Sequence, residues 1–225
     1  MKRSLLALAI LFAPFMMQAQ KSSYTTTGGE LIFSFANVKV GAVDASNVVR
    51  FSPFFNIQTQ YHHDLSDKFG WMTGFTLHNI GFIYNDPFSP DTRYKVRTYS
   101  IGIPLGIKFG RMDGKFFFGG YEIELPFNFK QKTFVNDDKT DKYNEWFSGR
   151  TPTLYHTVFF GVNLVQGTQL KFKYYLNNFF NQDFTSADVN GNPFKPYATT
   201  QVNMFYVALS FQILKGTDFY YERPK

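Results

Sequence analysis

Apolar and polar residues alternate with a period of two through most of the chain, and no helical period competes. In residues 49–61, Val49, Phe51, Phe55, Ile57 and Tyr61 fall on one face, and Arg50, Ser52, Asn56, Gln58 and Gln60 on the other. Residues 99–109 repeat the design, with Tyr99, Ile101, Ile103, Leu105, Ile107 and Phe109 opposed by Ser100, Gly102, Gly106 and Lys108. Residues 117–129 set Tyr121, Ile123, Leu125 and Phe127 against Glu122, Glu124 and Asn128, and residues 205–213 set Val207, Leu209 and Phe211 against Ala208, Ser210 and Gln212. Four less regular runs cover residues 31–38, 71–84, 154–164 and 170–176. The second of these loses phase near Asn79 and Ile80, as a bulge would make it do.

The connections add a second rhythm. Residues 64–70, 110–115 and 165–168 are short, whereas residues 37–47, 85–94, 130–152 and 178–200 are longer and more polar. Tight turns alternating with long loops mark barrels that cross a bilayer on tilted strands of ~9–11 residues. In lipid every backbone N–H and C=O needs an internal partner, so such a sheet must close. The pattern therefore predicts an all-β fold: a closed antiparallel up-and-down transmembrane β-barrel of about eight strands over residues 30–214. Residues 20–29 read as a Ser/Thr/Gly periplasmic linker and residues 215–225 as a periplasmic tail. A lumen this narrow is filled by side chains, and Gly102, Gly106, Gly120 and Gly161 on the polar parity suit the crowding. The alternative is a soluble lipocalin-like ligand-binding barrel with the aromatic residues inside. Its outer face would carry Lys and Glu, whereas this polar parity is mostly Gly, Ser, Thr, Asn and Gln.

The N-terminus sharpens the location. Lys2 and Arg3 precede an apolar run ending at Met17, and Ala19 offers the small residue before a cut. Residues 1–19 have the layout of a secretory signal peptide, which implies export to the outer membrane of a Gram-negative envelope. With no cysteine, neither disulfides nor a lipobox anchor are available. The 29 Phe and 14 Tyr raise aromatics to 20% while charged residues make up 18%, which suits one greasy face and one wet face. The formal charge of +6 loses Lys2 and Arg3 with the signal peptide, leaving 21 basic against 17 acidic side chains. For an exported chain the acidic neighbours are outer-membrane lipids and lipopolysaccharide, not nucleic acid.

Ile103-Pro104-Leu105-Gly106-Ile107-Lys108-Phe109 resembles the Ile-Pro-Leu strand of the PorT-like outer-membrane β-barrel family. Residues 29–36 are similar to the first strands of that group. The family's acidic residue two before the proline and aromatic residue four before it are replaced by Gly102 and Ser100, with Tyr99 one place away. The resemblance implies the fold and the outer-membrane location; the secretion role of named members is not carried over.

Candidate chemistry is sparse. Glu122 and Glu124 stand mid-strand on the polar parity, which Arg50, Lys171 and Lys173 share. Buried charges must be paired, so these five are expected to form an ion-pair network in the lumen and not an acid–base pair. Of the histidines His62, His63, His78 and His156, the adjacent His62 and His63 point to opposite faces, His156 shares its parity with Leu154 and Val158, and no cysteine or second close histidine shares one face. No metal site, cofactor or catalytic constellation is therefore expected, and the chain reads as a non-enzyme. A lipid-modifying outer-membrane enzyme is the rival reading. Trp146 and Phe147, within the polar stretch 130–152, are candidates for a protein partner at the extracellular loops or for the lipid interface. The expected role is structural or interactive.

Overall fold

The structure, a computed structural model, describes residues 22–164, 167–188, 190–215 and 219–220. Eight strands carry the fold: β1 (Ser22–Val40), β2 (Ile57–Ser66), β3 (Phe69–Asp86), β4 (Ser89–Gly110), β5 (Phe116–Val135), β6 (Tyr155–Asn163), β7 (Thr168–Tyr175) and β8 (Thr200–Lys215). Each pairs antiparallel with its chain neighbours, and β8 returns to β1 with Leu31 opposite Leu209, so the ring has no free edge. The closed up-and-down barrel expected from the alternation is the fold observed.

Which residues face out changes along the barrel. At the short-turn end, Ile101, Ile103, Leu105, Ile107 and Phe109 of β4 are exposed, and so are Phe117, Ile123 and Leu125 of β5. Between them Glu122, Glu124, Lys108 and Ser100 are buried in the lumen. At the long-loop end the order reverses. Ile32, Ala36 and Val38 of β1, Ile80 and Phe82 of β3, Val96 of β4, Phe129 of β5 and Met204 of β8 form one buried apolar cluster. The exposed outer positions there include Lys95, Gln201 and Asn203. Near the crossover β5 carries an extra residue, because Tyr99 faces Asn128 while Ser100 faces Pro126, leaving Phe127 unpaired.

This reversal explains the lost phase near Asn79 and Ile80. The β3–β4 register runs unbroken from Thr76↔Gly102 to Asn85↔Arg93; the strand does not slip, but its buried face changes from polar to apolar. It also corrects three loops: residues 37–47 are strand to Val40, turn at Gly41 with φ 63°, and return as the strand Val43–Ala45 paired with Val38–Val40. Residues 85–94 are strand up to a two-residue turn between Asp86 and Ser89, where the Asp86 carboxylate accepts the Phe88 N–H at 2.9 Å. Residues 130–152 begin as the continuation of β5, then turn through Asn136 and Asp137 with φ of 50° and 66° and return as the strand Asp138–Trp146. Positive φ at both central residues is the twist a tight hairpin requires. Outside lipid a strand needs no apolar outer face, so charged residues there do not end it.

The linker expected at residues 20–29 is also strand from Ser22 onward. Ser22–Gly29 pairs with β2, and Ser23 and Thr26 are buried, with Thr26 bonding His62 at 3.0 Å. Hydroxyl residues suit this polar end of the lumen. In the expected tail, Lys215 belongs to β8 and Phe219–Tyr220 pairs with Ser22–Ser23. The signal-peptide residues lie outside the described ones.

Candidate functional site: the lumen and the outer rim

The middle of the lumen holds one charge network. β7 alternation sends Lys171 and Lys173 inward; β5 does the same for Glu122 and Glu124, and β1 for Glu30. Lys173 Nζ lies 2.7 Å from Glu122 and 2.6 Å from Glu124, and Lys171 Nζ lies 2.5 Å from Glu30. His78 bridges the two groups, with Nε2 3.1 Å from Glu30 and Nδ1 3.2 Å from Glu124. Both ring nitrogens of His78 thus lie at hydrogen-bond distance from carboxylates, and the cluster joins three acids, two lysines and one imidazole. The remaining acceptor positions are met by hydroxyls: Thr76 donates to Glu122 at 2.5 Å, Ser100 to Glu124 at 2.7 Å, Tyr175 to Glu124 at 3.0 Å and Ser210 to Glu30 at 2.9 Å. Every partner is buried, and a satisfied network of this kind rigidifies its surroundings.

The expected network is thus present in four of its five members, and two more belong to it. Glu30 was hidden because residues 20–29 read as linker, which put it at a strand's first position, and His78 because its run loses phase beside it. Arg50 does not join. The chain bends at residues 53–56, with Phe55 at φ 61°, and this carries the Arg50 guanidinium to β3, where it donates to Asn79 O at 3.0 Å and Asn79 Oδ1 at 2.7 Å.

His78, Glu122 and Glu124 place three ligand atoms within 4.8 Å of one another. That spacing would suit a divalent cation, but the Lys173 ammonium already sits between the two glutamates as the cluster's cation. Gly102 makes the room: a Cβ there would stand 2.1 Å from Glu122 Oε1. A second pair, Lys108 with Asp64, closes the short-turn end, where Lys108 also donates to the Tyr24 hydroxyl at 3.2 Å.

Above the charges lies an aromatic plug. The segment after β7 folds back into the ring, where the Tyr155 hydroxyl donates to Phe179 O at 2.7 Å and Phe180 stacks on Tyr197 at 4.1 Å. Phe82 meets both Phe179 and Phe180 edge-on. The long polar loop expected at residues 178–200 therefore has an apolar root inside the barrel.

On the outer wall, Trp146 stacks on Phe127 at 5.8 Å, Phe127 on Tyr99 at 6.2 Å, and Tyr99 meets Phe55 edge-on at 6.0 Å. Trp146 thus ends the returning strand in a transverse aromatic row, and Phe147 follows it at φ 50°, both highly exposed. Such a row is the girdle that flanks an apolar band. His156 lies on the same wall beside Tyr121, whose hydroxyl it meets.

A closed ring whose apolar band faces outward, whose lumen holds the charges and whose rim carries an aromatic girdle is a β-barrel of the outer-membrane type. No family model matches the chain, and no characterised protein matches it in sequence. Among solved structures, OprG from Pseudomonas aeruginosa, an outer membrane protein, is 11% identical, with 90% of this chain and 98% of that one covered at a TM-score of 0.37. The attachment invasion locus protein Ail of Yersinia pestis is 10% identical, with 89% and 99% covered at a TM-score of 0.35. At these values the assignment rests on the strand pairing and the outward surface of this chain.

Proposed function

We propose that the protein is a sealed, non-catalytic outer-membrane barrel with a structural or interaction role exercised through its long hairpins. The observation that carries this reading is the filled lumen. The network from Glu30 to Lys173 and the Phe179–Phe180 plug occupy successive levels of the same ring, which speaks against passage through the lumen and supports the sealed reading. What remains for function is the outer surface, above all the extensions of β3, β4 and β5 beyond the aromatic row. The PorT-like resemblance of residues 103–109 is compatible with this role and adds no activity to it.

Two measurements test the reading. Purified protein should migrate differently on SDS gels with and without boiling, and in planar bilayers it should give no steady single-channel conductance. Identical migration together with recovery in the soluble fraction would favour the lipocalin-like alternative. A defined gain or loss of an acyl chain in lipid A from cells carrying the protein would establish an enzyme instead.

A further inference from the structure

The strongest unexplained feature is a concentration of positive charge on the outer wall just beyond the aromatic row. Arg97 of β4 stands directly opposite Lys130 of β5, and Lys95 directly opposite Lys132, which in turn faces Lys142 of the returning strand. Directly opposed like charges across a ladder repel, and here two such pairs are adjacent. None of Arg50, Lys95, Arg97, Lys130 and Lys132 forms an ion pair with a carboxylate among the described residues. These five line a pocket of about 210 Å³ together with Ser52, Asn79, Phe51 and Phe54. Partial desolvation of its exposed side chain against the wall, with Arg50, Lys132, Arg97 and Arg93 nearby, holds the Lys95 ammonium below its ordinary pKa, as expected where cations crowd without a counter-charge.

The pocket also has a built floor. Arg50 is only 4% exposed, and its two terminal nitrogens are fixed on Asn79 while its Nε meets no hydrogen-bond partner among the described residues. The Nε of Arg97 is likewise unmet, while its guanidinium lies over the Tyr99 ring at 5.1 Å. A buried guanidinium oriented by a neutral amide, with four further cations around it, is a receptor for a compact polyanion.

We propose that this pocket binds the phosphate of a lipid in the outer leaflet, the phosphorylated headgroup of lipid A. This rests on the membrane-barrel reading and adds a ligand and a site to it. The order of residues along β4 argues for lipid over a free anion. Arg97, Tyr99 and Ile101 succeed one another on the outer face at two-residue steps, roughly 7 Å each. Cation, aromatic and aliphatic groups therefore descend the wall in the order phosphate, interface and acyl chain. Phe51 and Phe54, both largely exposed at the pocket's lining, offer apolar contact for a chain below the headgroup. The pocket is smaller than the ~300–1,000 Å³ typical of sites that enclose a whole small molecule, which suits one headgroup phosphate and leaves the rest of the lipid on the wall.

The test uses the full chain, folded in a zwitterionic detergent. Binding of bisphosphorylated lipid A, of the same lipid with both phosphates removed, and of inorganic phosphate is measured side by side by native mass spectrometry. We expect the bisphosphorylated lipid to bind at least tenfold more tightly than either other probe. The triple variant Lys95→Gln, Arg97→Gln, Lys130→Gln should lose at least tenfold for that lipid only, and Lys39→Gln should lose nothing. Equal binding of the two lipids would overturn the site, and binding of inorganic phosphate as tight as that of the lipid would overturn its lipid source. Unchanged binding in the triple variant would place the contact elsewhere. Heat-modifiable migration on the same samples reads the barrel itself, so loss of that shift in the wild type would refute the membrane-barrel reading, a failure separate from that of the site. Should the triple variant fail to fold, the comparison of two lipids on the wild type still decides.

Discussion

Ile103 and Phe82 are both large apolar residues on neighbouring strands of one sheet, and they point in opposite directions. Ile103 is 57% exposed on the outer wall and Phe82 is fully buried in the lumen. The half of the barrel around Ile103 has charges inside and aliphatic residues outside; the half around Phe82 has aromatic residues inside and lysines outside. The sheet is continuous and the β3–β4 register does not slip between the two. What changes is the solvent against the outer wall, so a two-residue period alone cannot say which face is buried: Ile103 and Phe82 each follow the medium they meet.

The largest effect expected on this comparison comes from the polar interior of the lipid-facing half. Lys173→Met removes the ammonium between Glu122 and Glu124, leaving two carboxylates close together without their cation. The cost should be ~3–5 kcal/mol, as for breaking a buried pair by deleting one partner, read as a lower urea midpoint in lipid vesicles. Glu122→Gln together with Glu124→Gln should also destabilise, with the loop-end surface intact. A midpoint unchanged in both variants would mean that the lumen is wet enough to screen these charges.

The outer wall gives the next largest effect. Ile103→Arg places a guanidinium against the hydrocarbon and should cost ~2–4 kcal/mol near the midplane. Gln201→Arg, on the outward parity of the other half, should stay within about 0.5 kcal/mol. Equal effects of the two substitutions on unfolding in vesicles would erase the distinction between the halves.

This contrast also shows what could be read from residues alone. The runs 99–109 and 117–129 were legible because lipid demands strict alternation, and Lys171, Lys173, Glu122 and Glu124 followed from parity. Lys95, Arg97 and Lys130 were not read as strand, because a charged outer face and an apolar inner one invert the pattern that defined the other runs. Arg50 shares parity with the network, but the bend at residues 53–56 takes it to Asn79. The inward fold of Phe179 and Phe180 had no periodic signal, since it comes from a connection and not from a strand.

Gly102 tests how tightly the polar interior is packed. Gly102→Ala puts a methyl 2.1 Å from Glu122 Oε1 and 2.5 Å from Thr76 Oγ1, so the Glu122 and Thr76 side-chain ends must shift. Overpacking of this sort costs ~1–3 kcal/mol. Gly114→Ala, in a turn with open space around it, serves as the control in the same urea titration. A Gly102→Ala variant as stable as that control would show that Glu122 has a second position of equal energy.

The smallest effect has the opposite sign. Lys132 faces Lys95 on one side and Lys142 on the other, and no carboxylate lies within ion-pair distance of it among the described residues. Lys132→Gln should relieve that repulsion and raise stability by ~0.2–1 kcal/mol in neutral detergent, the range of cross-strand charge effects. The gain should shrink as salt is added, because exposed charges are screened over about 10 Å at 0.1 M ionic strength. It should also vanish in bilayers containing bisphosphorylated lipid A, where a bound phosphate already offsets the lysines. The corresponding change in the other half, Lys171→Gln, should destabilise in every one of these media, because Lys171 is paired with buried Glu30. A Lys132→Gln variant that is less stable than wild type in lipid-free detergent would mean that the outer lysines already have a counter-charge, and the inverted half would then lack its unneutralised face.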